Sequence, residues 1–391
     1  MTNTSLKSQY LLDPSVIFLN HGSFGATPKP VFDVYQAWQL ELEHQPVEFL
    51  GRRLTGLLSD ARQKLAIFLG TSRDNVVYIP NATTGINIVA RSLQLEAGDE
   101  VLTTDHEYGA MDRTWRFLAS KQGFTYINQA IPLPVTTREE FIDMFWKGVT
   151  PQTKVIFLSH ITSPTALIFP IKEIIDKARA NGIITIIDGA HAPGQLDLDL
   201  DNLGVDFYTG NLHKWLSAPK GSAFLYARPN MQHLIEPLIV SWGWQSELPG
   251  ASQFIDYLEW PGTQDYSAYL AVPRAIEFQS ENNWKSVRQA CHNLLAPFRQ
   301  DYISWSGLSP ISPIGQDWHL QLEAFPLPKE TDIVTIKETL YQQYRIEVPL
   351  IAWGNYRFIR VSIQAYNSAD DLTALLTALK ELLQSFDGDN H

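Results

Sequence analysis

The chain of 391 residues has almost no cysteine: Cys291 stands alone, so no intrachain disulfide can form and a reducing, cytoplasmic setting is expected. It also lacks a basic run. Thirty Lys and Arg stand against 42 Asp and Glu, a formal net charge of −12, which argues against nucleic acid or an anionic membrane as a partner. No uncharged apolar stretch approaches the length of a membrane span, and the N-terminal MTNTSLKSQYLLDPSVIFLN has no long apolar core of a signal peptide. There is no repeat of fixed period and no low-complexity tract. HGSFG at 21–25 lacks the G-x-G-x-x-G spacing and no G-x-x-x-x-G-K-[ST] occurs, so a nucleotide-binding protein is disfavoured. What remains is an ordinary globular composition, 45% hydrophobic and 18% charged, long enough for two domains with cores of their own.

Strand-like and helix-like patterns alternate through the first two-thirds. Strands are expected at 76–79, 100–103, 124–131, 154–159, 183–187, 205–208 and 222–227, with a short apolar run at 16–20. Helices are expected at 31–44, 49–69, from about 84, and at 110–121, 138–148 and 171–180. The nearly unbroken β-branched run at 183–187 suits a strand buried on both faces, so the fold class is α/β, a mostly parallel sheet covered by helices. Ligand sites in such a sheet lie at the carboxyl ends of strands. After about residue 271 the texture changes to a long helix (273–295, opened by Pro273), a strand (318–325), a helix (333–344), a strand (357–364) and a last helix capped by Ser368. This divides the chain into a large domain, 16–270, and a smaller α+β domain, 271–391, on which residues 1–15 would pack.

Lys214 sits in NLHKWLSAPKGSAFLY (211–226), between two strands that read as buried. A lysine there is costly to desolvate unless something uses it. Twenty-six residues upstream (214 − 188), the strand IITII ends in Asp188-Gly189-Ala190-His191. A lysine and a carboxylate at neighbouring strand ends meet the needs of pyridoxal phosphate: an amine for the Schiff base and an acid on the pyridine nitrogen. A phosphate seat is available in Asn81-Ala82-Thr83-Thr84-Gly85-Ile86-Asn87, where a strand ends and a helix begins.

With these residues in view, the chain resembles the aminotransferase class V family of pyridoxal-phosphate enzymes (fold type I), and within it the isopenicillin N epimerase-like branch. The matching stretches include LNHGSFGATP (19–28), NATTGIN (81–87), DHEYGA (105–110), SHITSPTALIFPI (159–171), DGAHAPGQ (188–195), NLHKWLSAPKGSAFLY (211–226), SWGW (241–244), WPGTQDYSAYLA (260–271) and RVSIQAYN (360–367). The resemblance implies roles. Lys214 forms the Schiff base and Asp188 pairs with the ring nitrogen. His191 stands where relatives commonly place a glutamine facing the ring hydroxyl. His106 matches the residue that stacks on the ring and so counts as catalytic, with Tyr108 as its rival. Thr83, Thr84, Asn211 and His213 would hold the phosphate, and Thr263 would reach the phosphate of a second subunit, making a homodimer functional. Arg360 would take the substrate carboxylate, with His21, Gly22, Ser23 and His160 lining its pocket. Arg52 and Arg53 fit a solvated helix face better than a substrate contact. No metal is expected.

The resemblance favours an amino-acid epimerase acting at an α-carbon. A C–S β-lyase acting on cysteine, cystine or a cysteine sulfoxide is the alternative, and an aminotransferase the next. A sensor module fused to a DNA-binding domain is disfavoured by the charge and by the lack of room before residue 16. Cys291, in the helix-like stretch VRQACHNL, reads as a packing residue, so persulfide chemistry on a cysteine is not expected.

Overall fold

The computed structural model describes residues 4–383; residues 1–3 and 384–391, the outer ends of the two stretches assigned above to the smaller domain, lie outside the described residues. The strands, in chain order, are β1 (Ile17–Phe18), β2 (Val76–Ile79), β3 (Glu100–Thr104), β4 (Thr125–Gln129), β5 (Thr153–Ser159), β6 (Ile184–Asp188), β7 (Phe207–Asn211), β8 (Ala223–Ala227), β9 (Leu322–Leu327), β10 (Ile346–Glu347), β11 (Leu350–Trp353) and β12 (Tyr356–Ser362). Seven of them form one sheet in the order β2-β8-β7-β6-β5-β3-β4. All neighbours run parallel except β8, which is antiparallel to both β2 and β7.

The apolar runs are buried on both faces, as continuous hydrophobicity requires. In β5, Val155 and Phe157 join one core with Val77, Ile186, Phe207 and the helices Ala82–Ser92 and Gly109–Gln122. The alternate residues Ile156 and Leu158 join the other, with Ile187, Tyr208 and the helices Leu54–Leu69 and Ile171–Ala180. This period-2 division puts helices on both sides of the sheet and leaves its strand ends open.

The smaller C-terminal domain is built on an antiparallel sheet, β11-β12-β9, packed with the helices Trp284–Ser306, Ile333–Tyr344 and Ala369–Leu382. Ser368 closes a capping box with Asp371 at the last of these. Three features depart from expectation. The long helix is two, Val272–Glu281 and Trp284–Ser306, broken where Asn283 takes the left-handed conformation (φ 47°). The short strands β10 and β11 were not foreseen; two and four residues are too few to show a period. Finally, β1 pairs in parallel with β10 (Ile17 opposite Ile346), so the segment at 17–18 hydrogen-bonds to the C-terminal region rather than to the large sheet.

Candidate active site

Asp188 ends β6, and Ser159, directly opposite it, ends β5. Asn211 ends β7, and Lys214 follows in the loop to β8. These carboxyl ends meet in a cleft of about 150 Å³, lined among others by Ser23, Thr83, Tyr108, Ser163, Asp188 and Lys214.

The lysine is held from two directions. The Lys214 carbonyl accepts from His21 Nε2 at 2.9 Å, and Tyr366 Oη donates to the other nitrogen of that ring, also at 2.9 Å. At the far end, Lys214 Nζ lies 3.2 Å from His191 Nε2. Gly25, at φ 70°, lies with its backbone against the carbonyl of His213; a Cβ there would strike it, so only glycine lets the 21–25 strip approach the lysine loop. Burial pushes the Lys214 amine down to about 7, helped by the Arg360 charge and opposed by Asp188. A free amine near neutral pH is the form that attacks an aldehyde.

Asp188 is buried and accepts from the Ala190 amide at Oδ1, 2.9 Å. Burial holds its carboxyl above the ordinary range, against that hydrogen bond and the Lys214 charge. Such a carboxylate suits a protonated ring nitrogen as partner. Behind it, buried Glu107 accepts from the amide and hydroxyl of Ser159 (2.9 and 2.6 Å) and from Thr104 Oγ1 (2.8 Å), and burial pushes it up to about 7. Asn211 Oδ1 accepts from the Ala82 amide at 2.9 Å, tying β7 to the start of the helix Ala82–Ser92 and leaving its own amide donors for the cleft. His213 donates from Nδ1 to the Ser222 carbonyl at 3.1 Å, and burial pushes it down to about 4.

Arg360 is buried and, among the described residues, has no acid partner. Its guanidinium donates to Ser163 O (2.6 Å), Ser163 Oγ (3.1 Å) and Ser23 Oγ (3.2 Å), while Nε has no partner. Burial pushes it down to about 10. A buried cation with only neutral oxygens around it and a spare N–H is a seat for an anion.

Other expected residues fall elsewhere. His106 does not reach the cleft: it is buried, accepts from Thr165 Oγ1 and donates to the Ile131 carbonyl (both 2.8 Å), and packs on Trp353. With both nitrogens committed inward, it yields the cleft wall to Tyr108. Thr84 spends its amide and hydroxyl on the Asn81 cap, so Thr83 alone of the pair lines the cleft. His21 and Gly22 face inward, Gly22 donating to Ser362 Oγ at 3.1 Å; Ser23 is the member of that trio at the cleft. His160 lies behind it, its Nδ1 2.9 Å from Tyr208 Oη. Thr263 is exposed and away from this chain's own cleft. Arg52 is exposed and Arg53 pairs with Glu41, as on a solvated helix face. Cys291 is fully buried, and burial pushes its thiol up to about 12. Phe24, Glu107, Ser163 and Trp215 were missed, although Phe24, Glu107 and Trp215 each flank a residue that was not, and Ser163 lies in the quoted stretch 159–171.

Residues 18–300 match the family model described as aminotransferase class-V. The chain is 36% identical to the isopenicillin N epimerase of Amycolatopsis lactamdurans, the match covering 96% of this chain and 97% of that one. It is 28% identical to a probable chloroplastic L-cysteine desulfhydrase of Arabidopsis thaliana over 95% of this chain and 84% of the relative. In fold it is similar to a cystine C–S lyase solved with its product cysteine persulfide (TM-score 0.82, 23% identity, 94% of this chain and 97% of the other). The chain belongs to the aminotransferase class V family of pyridoxal 5′-phosphate-dependent enzymes. Within that family, its matches run to epimerases first and to cysteine-cleaving enzymes at greater distance.

Proposed function

We propose that the protein removes and returns a proton at the α-carbon of an amino acid, or of a small peptide carrying one, and inverts that carbon. The observation that carries this is one cleft lined by Lys214 and the buried Asp188 carboxylate, with the Arg360 guanidinium directly behind its wall, donating to the lining residues Ser23 and Ser163. Likeness to two isopenicillin N epimerases, at 36% and 33% identity, favours inversion over other outcomes. When bound, pyridoxal phosphate supplies an aldehyde for amines and a ring that draws electrons from the α-carbon.

The chain's residues have separable tasks. Arg360 takes the substrate carboxylate in a two-pronged grip and so orients the α-carbon. Lys214 Nζ takes the α-proton from one face as a base whose pKa, about 7, matches neutral conditions, and inversion requires a second acid, across the ring, to return a proton to the other face. Asp188 would hold positive charge at the ring nitrogen, and His191 would donate to the oxygen beside the aldehyde. Thr83, Asn211 and His213 would seat the phosphate. Tyr108, on the cleft wall, would cover the ring in place of His106.

A second reading, cleavage of a β-carbon–sulfur bond, is supported by the likeness to the Arabidopsis thaliana desulfhydrase. Buried Cys291 cannot carry sulfur out of the cleft, so such a lyase would release it directly. We also propose a cytoplasmic homodimer in which Thr263 serves the partner's phosphate seat. It is supported by the exposed apolar segment that precedes Thr263, with Trp242 84% and Leu248 90% exposed.

Incubation with a panel of amino acids and peptides in deuterium oxide tests the reaction. α-Deuteration with inversion is the expected result. Pyruvate and sulfide from cysteine or cystine would replace the epimerase reading by the lyase, and a keto acid by the transaminase.

A further inference from the structure

The residue after the lysine, Trp215, faces away from the cleft: it is fully buried and absent from the cleft's lining. Its indole Nε1 lies 3.2 Å from His191 Nδ1. An indole N–H can only donate, so Nδ1 must accept, and in the neutral ring the proton sits on Nε2. That same Nε2 lies 3.2 Å from Lys214 Nζ. The chain therefore runs from a donor-only group, through a ring with one remaining proton, to the reactive amine.

We infer that Trp215 is a positioning residue that fixes His191 in the Nε2–H tautomer, so that His191 offers Lys214 a donor and never an acceptor. The consequence follows from hydrogen-bond polarity. A free amine has a lone pair to accept the Nε2 proton, whereas an ammonium has only donors and would meet it donor to donor. The lock thus favours the free amine. It also leaves His191 a donor toward any acceptor that takes the amine's place.

The indole is held independently of His191. Gln279 Nε2 donates to the Trp215 carbonyl at 2.8 Å, and the His21 ring packs 5.0 Å from the indole. Gly194, at φ 92°, sets the turn after His191 directly on the Trp215 backbone, where any Cβ would clash. Other charges act on the pair from every side: Asp188 from the end of β6 favours the ammonium, and Arg360 from β12 opposes it. His213 in the lysine loop and His21 from the 21–24 strip also face His191. These are unchanged by altering the indole, so its own contribution can be read separately.

The inference rests on Lys214 being the reactive amine, not on which reaction follows. In the full-length protein freed of cofactor and labelled with ¹⁵N-histidine, with Trp215→Phe and His191→Gln assigning the signals, His191 Nδ1 is expected unprotonated and Nε2 protonated. The Lys214 amine is then titrated by pyridoxal labelling, trapped with borohydride and located by mass spectrometry. In Trp215→Phe the ratio of free amine to ammonium at neutral pH is expected to fall roughly tenfold, the scale of one lost hydrogen-bond preference. In a His191→Gln background the same substitution is expected to change nothing. A protonated Nδ1 in the wild type overturns the inference even if Trp215→Phe fails to fold, as does an unshifted titration in that variant. No labelling at Lys214 in the wild type would instead sink the reading of the site.

Discussion

Two arginines are buried in the C-terminal domain, on opposite faces of the same small sheet. Glu323 and Arg360 sit one step apart in the β9–β12 register, Arg360 opposite Ala324 and Val361 opposite Glu323, so their side chains leave on different sides. On the helix side, Arg299 meets Glu323 through two hydrogen bonds of 2.6 Å and also donates to His319. On the cleft side, Arg360 has only serine oxygens and an unpartnered Nε. Both pay for desolvation, but only the first is compensated within the chain. A buried cation whose compensation is absent from the protein marks where a ligand supplies it, whereas a paired one marks where the fold closes on itself.

Removing one partner of the closed pair should have the largest effect. Arg299→Leu leaves Glu323 buried and unpaired and should cost about 3–5 kcal/mol in urea unfolding, while Arg299→Leu/Glu323→Leu together should recover most of it. Equal losses in the single and double variants would mean packing, not charge, carries that face. Arg360→Lys should leave stability nearly unchanged but raise KM for carboxylate-bearing substrates by roughly a hundredfold, because an ammonium lacks the planar fork. A substrate series lacking the carboxylate should not notice the change; if it does, Arg360 is structural after all.

The smallest effect concerns Lys214. Its folded pKa lies below the unfolded value, so between about 7 and the ordinary lysine range near 10.4 the unfolded chain binds more protons than the folded one. Stability of the cofactor-free protein should therefore rise with pH across that window. Lys214→Met should abolish this rise and stabilise the fold at pH 7 by on the order of 1–2 kcal/mol. A flat wild-type profile in thermal melts would show that the amine is not desolvated.

Much of this was legible from the chain alone, for reasons that differ by residue. The β-branched strand Ile184–Asp188 announced a doubly covered sheet, and its terminal acid had to lie at the ligand edge. Lys214 stood out because a charge between core strands needs a use. Arg360 could be placed on a strand, but its missing partner could not be seen without Ser163 and Ser23 folded against it. The histidines were least readable. His21 opens a four-residue helix and His106 lies in a turn, segments too short for a period to tell inward from outward, and both turned into the protein. The Trp215–His191 contact joins two loops 24 residues apart and left no local trace in either.

The pairing of β1 with β10 governs the order in which the molecule can be completed. Ile17 leaves the ribosome 329 residues ahead of Ile346 (346 − 17), a wait of roughly 15–65 s at ordinary translation speeds. Leu19 accepts from the Ser362 amide and Phe18 from the Asn367 side chain, so the strip that steadies the lysine carbonyl cannot seat itself during that wait. Nascent chains short of about residue 367 should therefore hold a formed parallel sheet yet capture the coenzyme poorly, and maturation becomes a late, whole-chain event rather than one finished by the first domain to emerge.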